Sequence, residues 1–231
     1  MTSRALLLSG SGRYADPWHP FAATSACVAR VLEESGIPAT VTEDVDAALA
    51  ALPATAPDLL VVNIGAADGP APDGVDHAPA DPAVDAAARA GLLAHLAAGR
   101  PLLALHVSST SLHFVPEWEV VLGGIWVRGA TMHPDYDLAH VRVETDAHPI
   151  VAGVRDFDTS DERYSFMRVD PAVQGLAWHE HDGLRHPLLW AREHGAARVV
   201  YDALGHDAAS YDSAEARELV ARSALWLLGE L

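Results

Sequence analysis

Short runs that are apolar without alternation mark the framework of the chain: Ala5 to Leu8, Asp58 to Ile64, Leu102 to Leu105 and Ala197 to Leu204. Unbroken runs of this length, bounded by Gly and Pro, predict strands of a parallel sheet covered on both faces. Helical periodicity fills the intervals. It predicts helices over Phe21 to Gly36, Val45 to Leu52 and Ala83 to Ala98, with a further strand over Ile37 to Thr42. In the first helix Ala23, Cys27, Val31 and Leu32 share the expected buried face. In the third, Ala86, Leu92, Leu93 and Leu96 do so, with His95 among them as a structural residue. The β-α-β-α-β order predicts an α/β fold with a doubly wound, mostly parallel sheet and right-handed crossovers.

The second half has more strands and less regularity. Pro116 to Leu122 reads as a short helix closed by Gly123 and Gly124. Leu138 to Glu144, Gln174 to His181 and His186 to Arg192 read as strands. The last helix is the clearest: Ala216, Leu219, Val220, Ser223, Ala224 and Leu227 mark one face, and Asp212 with Glu215 is the expected capping box. Residues 65–82, rich in Gly, Pro, Asp and Ala, predict a long excursion, either a surface insertion or a lid over a site. No repeat or composition break divides the chain, so residues 1–231 are expected to form a single domain.

Charge narrows the partners. The formal net charge is −17 over 231 residues, and recognition of nucleic acid or anionic membrane needs clustered basic side chains. Neither partner is expected, and small neutral ligands remain open. No apolar run approaches a membrane span of about 18 residues, and the N-terminal run lacks a cleavage pattern, so the expected location is the cytoplasm. An apolar-rich domain of this kind is expected to form a homodimer. All fifteen basic residues are arginine, which excludes Schiff-base chemistry, lysine-bound pyridoxal phosphate and a P-loop lysine. Cys27 is the single cysteine; it allows no intramolecular disulfide and no thiolate metal site of its own.

Candidate chemistry begins where the central strand stops. His106 follows Leu102 to Leu105 directly and precedes V-S-S-T, so it sits at the carboxyl end of a parallel strand, where open sheets bind ligands. The loop after the first strand, RYADPWHPF, opens at the same sheet edge, with Trp18 able to stack on a sugar ring and His19 able to hydrogen-bond. Its GSG lacks the spacing of a dinucleotide fingerprint.

The succession LLLSG…WHPF, DLLVVNIG, PLLALHVSS, LGGIWVRGATMHP, DAHPIVAGV, DERYSF, HPLLW and ARVVYDALGHD resembles the ThuA-like (trehalose utilisation) family over nearly the whole chain. That resemblance implies a flavodoxin-like, class I glutamine amidotransferase-like fold with extra strands in the second half. It also implies a link to trehalose or related disaccharide and 3-keto-sugar metabolism. Laid against amidotransferases, His106 stands where their nucleophilic cysteine would, so glutaminase chemistry through a thioester is not expected; His206 resembles the position of their catalytic histidine. Ser108 and Ser109 lack the GxSxG spacing of a nucleophile elbow, and Ser108 is expected instead to hold a ligand oxygen. The resemblance collects His19, His106, His133, Glu162 and His206 as candidates for one pocket; His106, Glu162 and His206 are the catalytic candidates, and His19 and His133, together with Trp18, Ser108 and Tyr164, are the substrate-binding candidates. Histidines with one carboxylate suit acid-base catalysis on a sugar or a divalent metal such as zinc, for which His106, His133 and His206 are the candidate ligands. The competing expectation is a non-catalytic sugar-binding or interaction module.

Overall fold

The computed structural model describes residues 3–66 and 81–231. Most of the expected 65–82 excursion, with its lid reading, lies outside the described residues. In chain order the first half contains β1 (Ala5–Ser9), α1 (Phe21–Glu34), β2 (Ala39–Thr42), α2 (Val45–Thr55), β3 (Leu59–Asn63), α3 (Pro82–Ala97) and β4 (Leu102–Leu105). The second half contains α4 (Trp118–Leu122), β5 (Gly124–Ile125), β6 (Asp137–Val143), β7 (Phe157–Asp161) and β8 (Arg168–Val169). It closes with β9 (Gly175–His181), β10 (Leu184–His194), β11 (Ala197–Asp202) and α5 (Ala214–Leu228).

The main sheet runs β2-β1-β3-β4-β11-β10-β9-β6-β7. Its first five strands are parallel, in the flavodoxin-like order with β11 as the fifth. Strands β10, β9, β6 and β7 extend it antiparallel. The unbroken apolar runs are the strands buried on both faces: every residue of β3 and β4 is buried. Edge strand β2 is half-buried to exposed and starts at Ala39, two residues later than periodicity suggested. Strand β7, which was not expected, alternates in burial but turns Thr159 and Asp161 inward with Phe157, so polar residues hide its period.

Helical faces are shifted in places. The buried face of α1 is Phe21, Thr24, Ser25, Val28, Val31 and Leu32, whereas Ala23 is exposed and Cys27 only half-buried. The apolar spacing misled because Thr24 and Ser25 are buried by a polar network: Ser25 donates to Ser9, and the Asn63 amide donates to both hydroxyls. In α3, Ala88, Gly91, Leu92, His95 and Leu96 are buried, Leu93 is half-buried and Ala86 is exposed. His95 is structural, its Nε2 hydrogen-bonding to the Pro101 carbonyl. Helix α5 buries the expected face, but its N-cap is Ser213, whose hydroxyl accepts from Ala216 N. The capping box lies earlier, between Asp207 and Ser210.

Gly91 marks the closest approach of α3 to α2, where an added Cβ would overlap the Leu49 carbonyl oxygen and its carbon. Alanine favours a helix over glycine by about 1 kcal/mol, while overpacking against backbone costs about 1–3 kcal/mol or more. Gly91→Ala is therefore predicted to destabilise the protein by about 1–2 kcal/mol in urea unfolding; a variant more stable than the parent would show that the helices separate freely.

Candidate functional site

His106 ends β4 by breaking it. Its φ is +43°, in the left-handed region that few residues other than Gly enter, His with Asn and Asp more often than most. The 3-10 turn His106–Thr110 follows at once. The twist throws the imidazole across the ends of the strands, where Nδ1 meets the Ala203 carbonyl beyond β11 at 2.7 Å. A carbonyl only accepts, so Nδ1 carries the proton and the Nε2 lone pair points outward. The buried Tyr201 hydroxyl donates to the His106 carbonyl and braces the same turn.

His19 arrives from the loop after β1 in a matching state. The buried Asp16 carboxylate accepts from the backbone N–H of Trp18 and of His19 and lies 2.7 Å from His19 Nδ1. Asp16 thus places the proton of His19 on Nδ1 and aims Nε2 at His106, 3.2 Å from its Nε2. Two lone-pair nitrogens this close need a cation between them, either a proton or a metal ion.

Glu162 and His206 complete the group through one buried carboxylate. Asp161, at the end of β7, accepts from the N–H groups of Glu162, Gly205 and His206 at 2.8, 2.8 and 3.2 Å. It pins together the two segments that carry these side chains. Glu162 Oε2 then lies 3.4 Å from His106 Nε2, 3.3 Å from His206 Nδ1 and 4.0 Å from His19 Nε2. Among the described residues the buried His206 Nδ1 has no aligned hydrogen-bond partner. Donor atoms from His19, His106, Glu162 and His206 all lie within 4.8 Å of one another, and this group can hold a metal ion.

Burial opposes ionisation of Glu162, but when His106 and His206 carry positive charge their hydrogen bonds and charge outweigh it and hold the carboxyl well below the usual range. Burial also opposes protonation of His206, and there the Glu162 carboxylate wins and raises its pKa. For His19 burial prevails over the Asp16 bond and lowers the pKa. Burial drives the Tyr164 phenol well above its ordinary value, so it is a hydroxyl donor; it reaches His106 Nε2 at 3.0 Å.

His133 stands outside the tight group, a correction to the expected ligand set of His106, His133 and His206. Its Nδ1 is 2.9 Å from the Pro134 carbonyl and its Nε2 is 3.4 Å from Glu162 Oε1, the oxygen facing away from the other histidines. His19 takes the place given to His133, because Asp16 turns it inward. Ser108 is not brought to the group either. It is fully buried below the turn, where its carbonyl accepts from Trp118 Nε1 and from the Ser111 hydroxyl.

Above the group lies a chamber of about 380 Å³ lined by Trp18, His19, Val107, Thr110, Trp126, His133, Glu162 and Tyr164. It adjoins an outer chamber of about 680 Å³ that shares Trp18, His19, Val107, Thr110 and Trp126 and adds Arg128, Thr131 and Arg168 among others. Trp18 is 58% exposed, while Trp126 packs edge-on against Tyr164 at 4.7 Å between ring centroids. Sequence reasoning missed Asp16, Asp161 and Trp126 as parts of the site. The sign for Asp16 was present, since Asp three residues before His19 lets its side chain fold back on the loop; nothing in the sequence pointed to Asp161 as a clamp.

Among the described residues no helix is long and apolar enough to cross a membrane. No curated protein matches the sequence. The chain is similar to the solved structure of a ThuA-like protein from Parabacteroides merdae ATCC 43184, with 16% identity over 99% of this chain and 90% of that one, at a TM-score of 0.76. A ThuA-like protein from Bacteroides uniformis ATCC 8492 shares 14% identity over 98% and 91% of the two chains, at a TM-score of 0.72. A cytoplasmic protein from Salmonella typhimurium LT2 shares 12% identity over 97% and 99%, at a TM-score of 0.63. These likenesses concern the fold. The family model for ThuA, described as trehalose utilisation, matches residues 4–227, and the chain therefore belongs to the ThuA family.

Proposed function

We propose that this chain is an enzyme of carbohydrate metabolism that binds a divalent metal ion such as zinc and catalyses proton transfer on a sugar. The observation that carries this reading is the pair of Nε2 atoms of His19 and His106, 3.2 Å apart, with both Nδ1 protons committed to Asp16 and the Ala203 carbonyl. Metal-binding histidines are oriented in this way, by a carboxylate or carbonyl behind each ring. A shared proton would satisfy these two nitrogens alone. The convergence of Glu162 and His206 Nδ1 on the same point favours a cation with more ligands, and imidazole with carboxylate suits zinc and similar ions.

Such an ion, when bound, polarises a hydroxyl or carbonyl oxygen of a ligand. The protein supplies the remainder. His133 reaches into the inner chamber beside Glu162 Oε1 and is placed to take a proton from a ligand carbon or hydroxyl and return it. Trp18 and Trp126 offer the apolar faces on which sugar rings stack. The family's description as trehalose utilisation supports a sugar as the ligand.

The test is metal titration of metal-stripped protein followed by thermal unfolding. At about 100 times its Kd an ion stabilises a protein by about 2.7 kcal/mol, which for this chain length corresponds to about 5–10 °C in Tm. Zn²⁺, Co²⁺ or Mn²⁺ is predicted to give that shift. His106→Asn, chosen because Asn tolerates positive φ, and Glu162→Gln are predicted to abolish it; Glu162→Gln changes metal-free stability by under about 1 kcal/mol, whereas His106→Asn costs about 1–3 kcal/mol through the buried Ala203 carbonyl left without its donor. No Tm shift with any divalent ion, or an equal shift in both variants, would remove the metal from the account.

The elbow also makes a negative prediction. With His106 where an amidotransferase-like nucleophile would stand, and Cys27 half-buried on α1, the purified protein is predicted to release no ammonia from glutamine. Glutaminase activity that co-purifies with the protein and survives Cys27→Ala would refute the assignment of His106 to a non-nucleophilic role.

A further inference from the structure

Tyr164 has one hydroxyl proton, and among the described residues its hydrogen-bond partner is the atom that a metal would use. The hydroxyl lies 3.0 Å from His106 Nε2. Because His106 Nδ1–H is committed to the Ala203 carbonyl, Nε2 has a single lone pair, which serves either the tyrosine or an ion but not both. The phenol cannot swing away to find another partner. Its ring is packed against His106 at 4.5 Å and Trp126 at 4.7 Å between centroids. Its own carbonyl is held by His179 Nε2 at 3.1 Å, and the side chain is 2% exposed. It nevertheless borders the inner chamber beside Glu162 and His133.

Resting on the metal reading above, we propose that Tyr164 is a catalytic residue that gives up His106 when the site is loaded and donates its hydroxyl to the oxygen of a ligand bound in the inner chamber. The ligand class is one that presents an oxygen able to gather negative charge, a carbonyl or a hydroxyl next to one. A donor already in place, released from its internal acceptor as the site loads, adds no reorganisation at the moment of reaction. The arrangement also predicts an unusual sign. A residue that merely orients His106 should weaken metal binding when removed, whereas a residue that competes for Nε2 should not.

The experiment compares wild type with Tyr164→Phe, which keeps the ring and its packing, using Co²⁺ and acetohydroxamate as an oxygen-donor probe. Visible spectra report both steps. The expected result is that Tyr164→Phe binds Co²⁺ as tightly as wild type or more so, yet binds acetohydroxamate about ten-fold or more weakly in the Co²⁺ form, as loss of a hydrogen bond to a charged group implies. Weaker Co²⁺ binding in the variant, or unchanged acetohydroxamate affinity, overturns the proposal while leaving the metal reading intact. Failure of wild type to bind Co²⁺ at all overturns both. Should the variant not fold, wild type with carbon-labelled tyrosine answers the same question by NMR. The Tyr164 Cζ resonance should shift on adding Zn²⁺ and shift again on adding acetohydroxamate, and a resonance indifferent to the second addition contradicts the role.

Discussion

The hydrogen bond from His106 Nδ1 to the Ala203 carbonyl, 2.7 Å long and buried, is the contact on which the site depends. It spans the ends of two adjacent parallel strands, β4 and β11, and can form only because His106 accepts a positive φ. Left-handed backbone at a non-glycine residue costs about 1–2 kcal/mol, and such strain persists where surrounding structure holds it. Here Tyr201 holds it from beneath, by donating to the His106 carbonyl. The outcome is a histidine with one tautomer and one direction. Every other member of the group is placed relative to that outward lone pair.

Each further side chain is delivered by a buried acid of a different kind. Asp16 folds its own loop and orients His19. Asp161 touches no histidine ring, yet it ties the backbone of Glu162 to that of Gly205 and His206. Asp202, buried at the end of β11, accepts from Leu204 N, and burial pushes its pKa up to about 7. A chain with formal charge −17 thus places several of its carboxyls inside, where they act as hydrogen-bond acceptors for the site rather than as a solvated coat. Asp161, the last residue of β7, fills this structural role, and Glu162, just beyond the strand, faces the chamber.

How much of this was legible in the sequence follows from what each element buries. Strands β3, β4 and β11 announce themselves because two-sided burial demands an apolar residue at nearly every position, and α5 because its buried face is apolar but for Ser223. Strand β7 was invisible because two of its three inward residues, Thr159 and Asp161, are polar and satisfied by partners far along the chain. The face of α1 was misread for the same reason, with Thr24 and Ser25 sharing hydrogen bonds with Asn63. Within the site, resemblance pointed to His19, His106, His133, Glu162 and His206; His19, His106, Glu162 and His206 lie in one group, and His133 borders the chamber beside it. What sequence could not rank was His19 over His133 in the tight group, since that choice rests on loop conformation and on which ring nitrogen Asp16 engages.

In the proposed cation site His19, His106, Glu162 and His206 act together, with the tautomers set by their partners. Crystals grown from metal-stripped protein, soaked in Zn²⁺ and measured on both sides of the zinc absorption edge, test it most directly. One anomalous peak is expected in this chamber at about 2.0–2.1 Å from Nε2 of both His19 and His106, with Glu162 beside it. A peak bound through His133 in place of His19, or no peak in the chamber at full occupancy elsewhere, would contradict it.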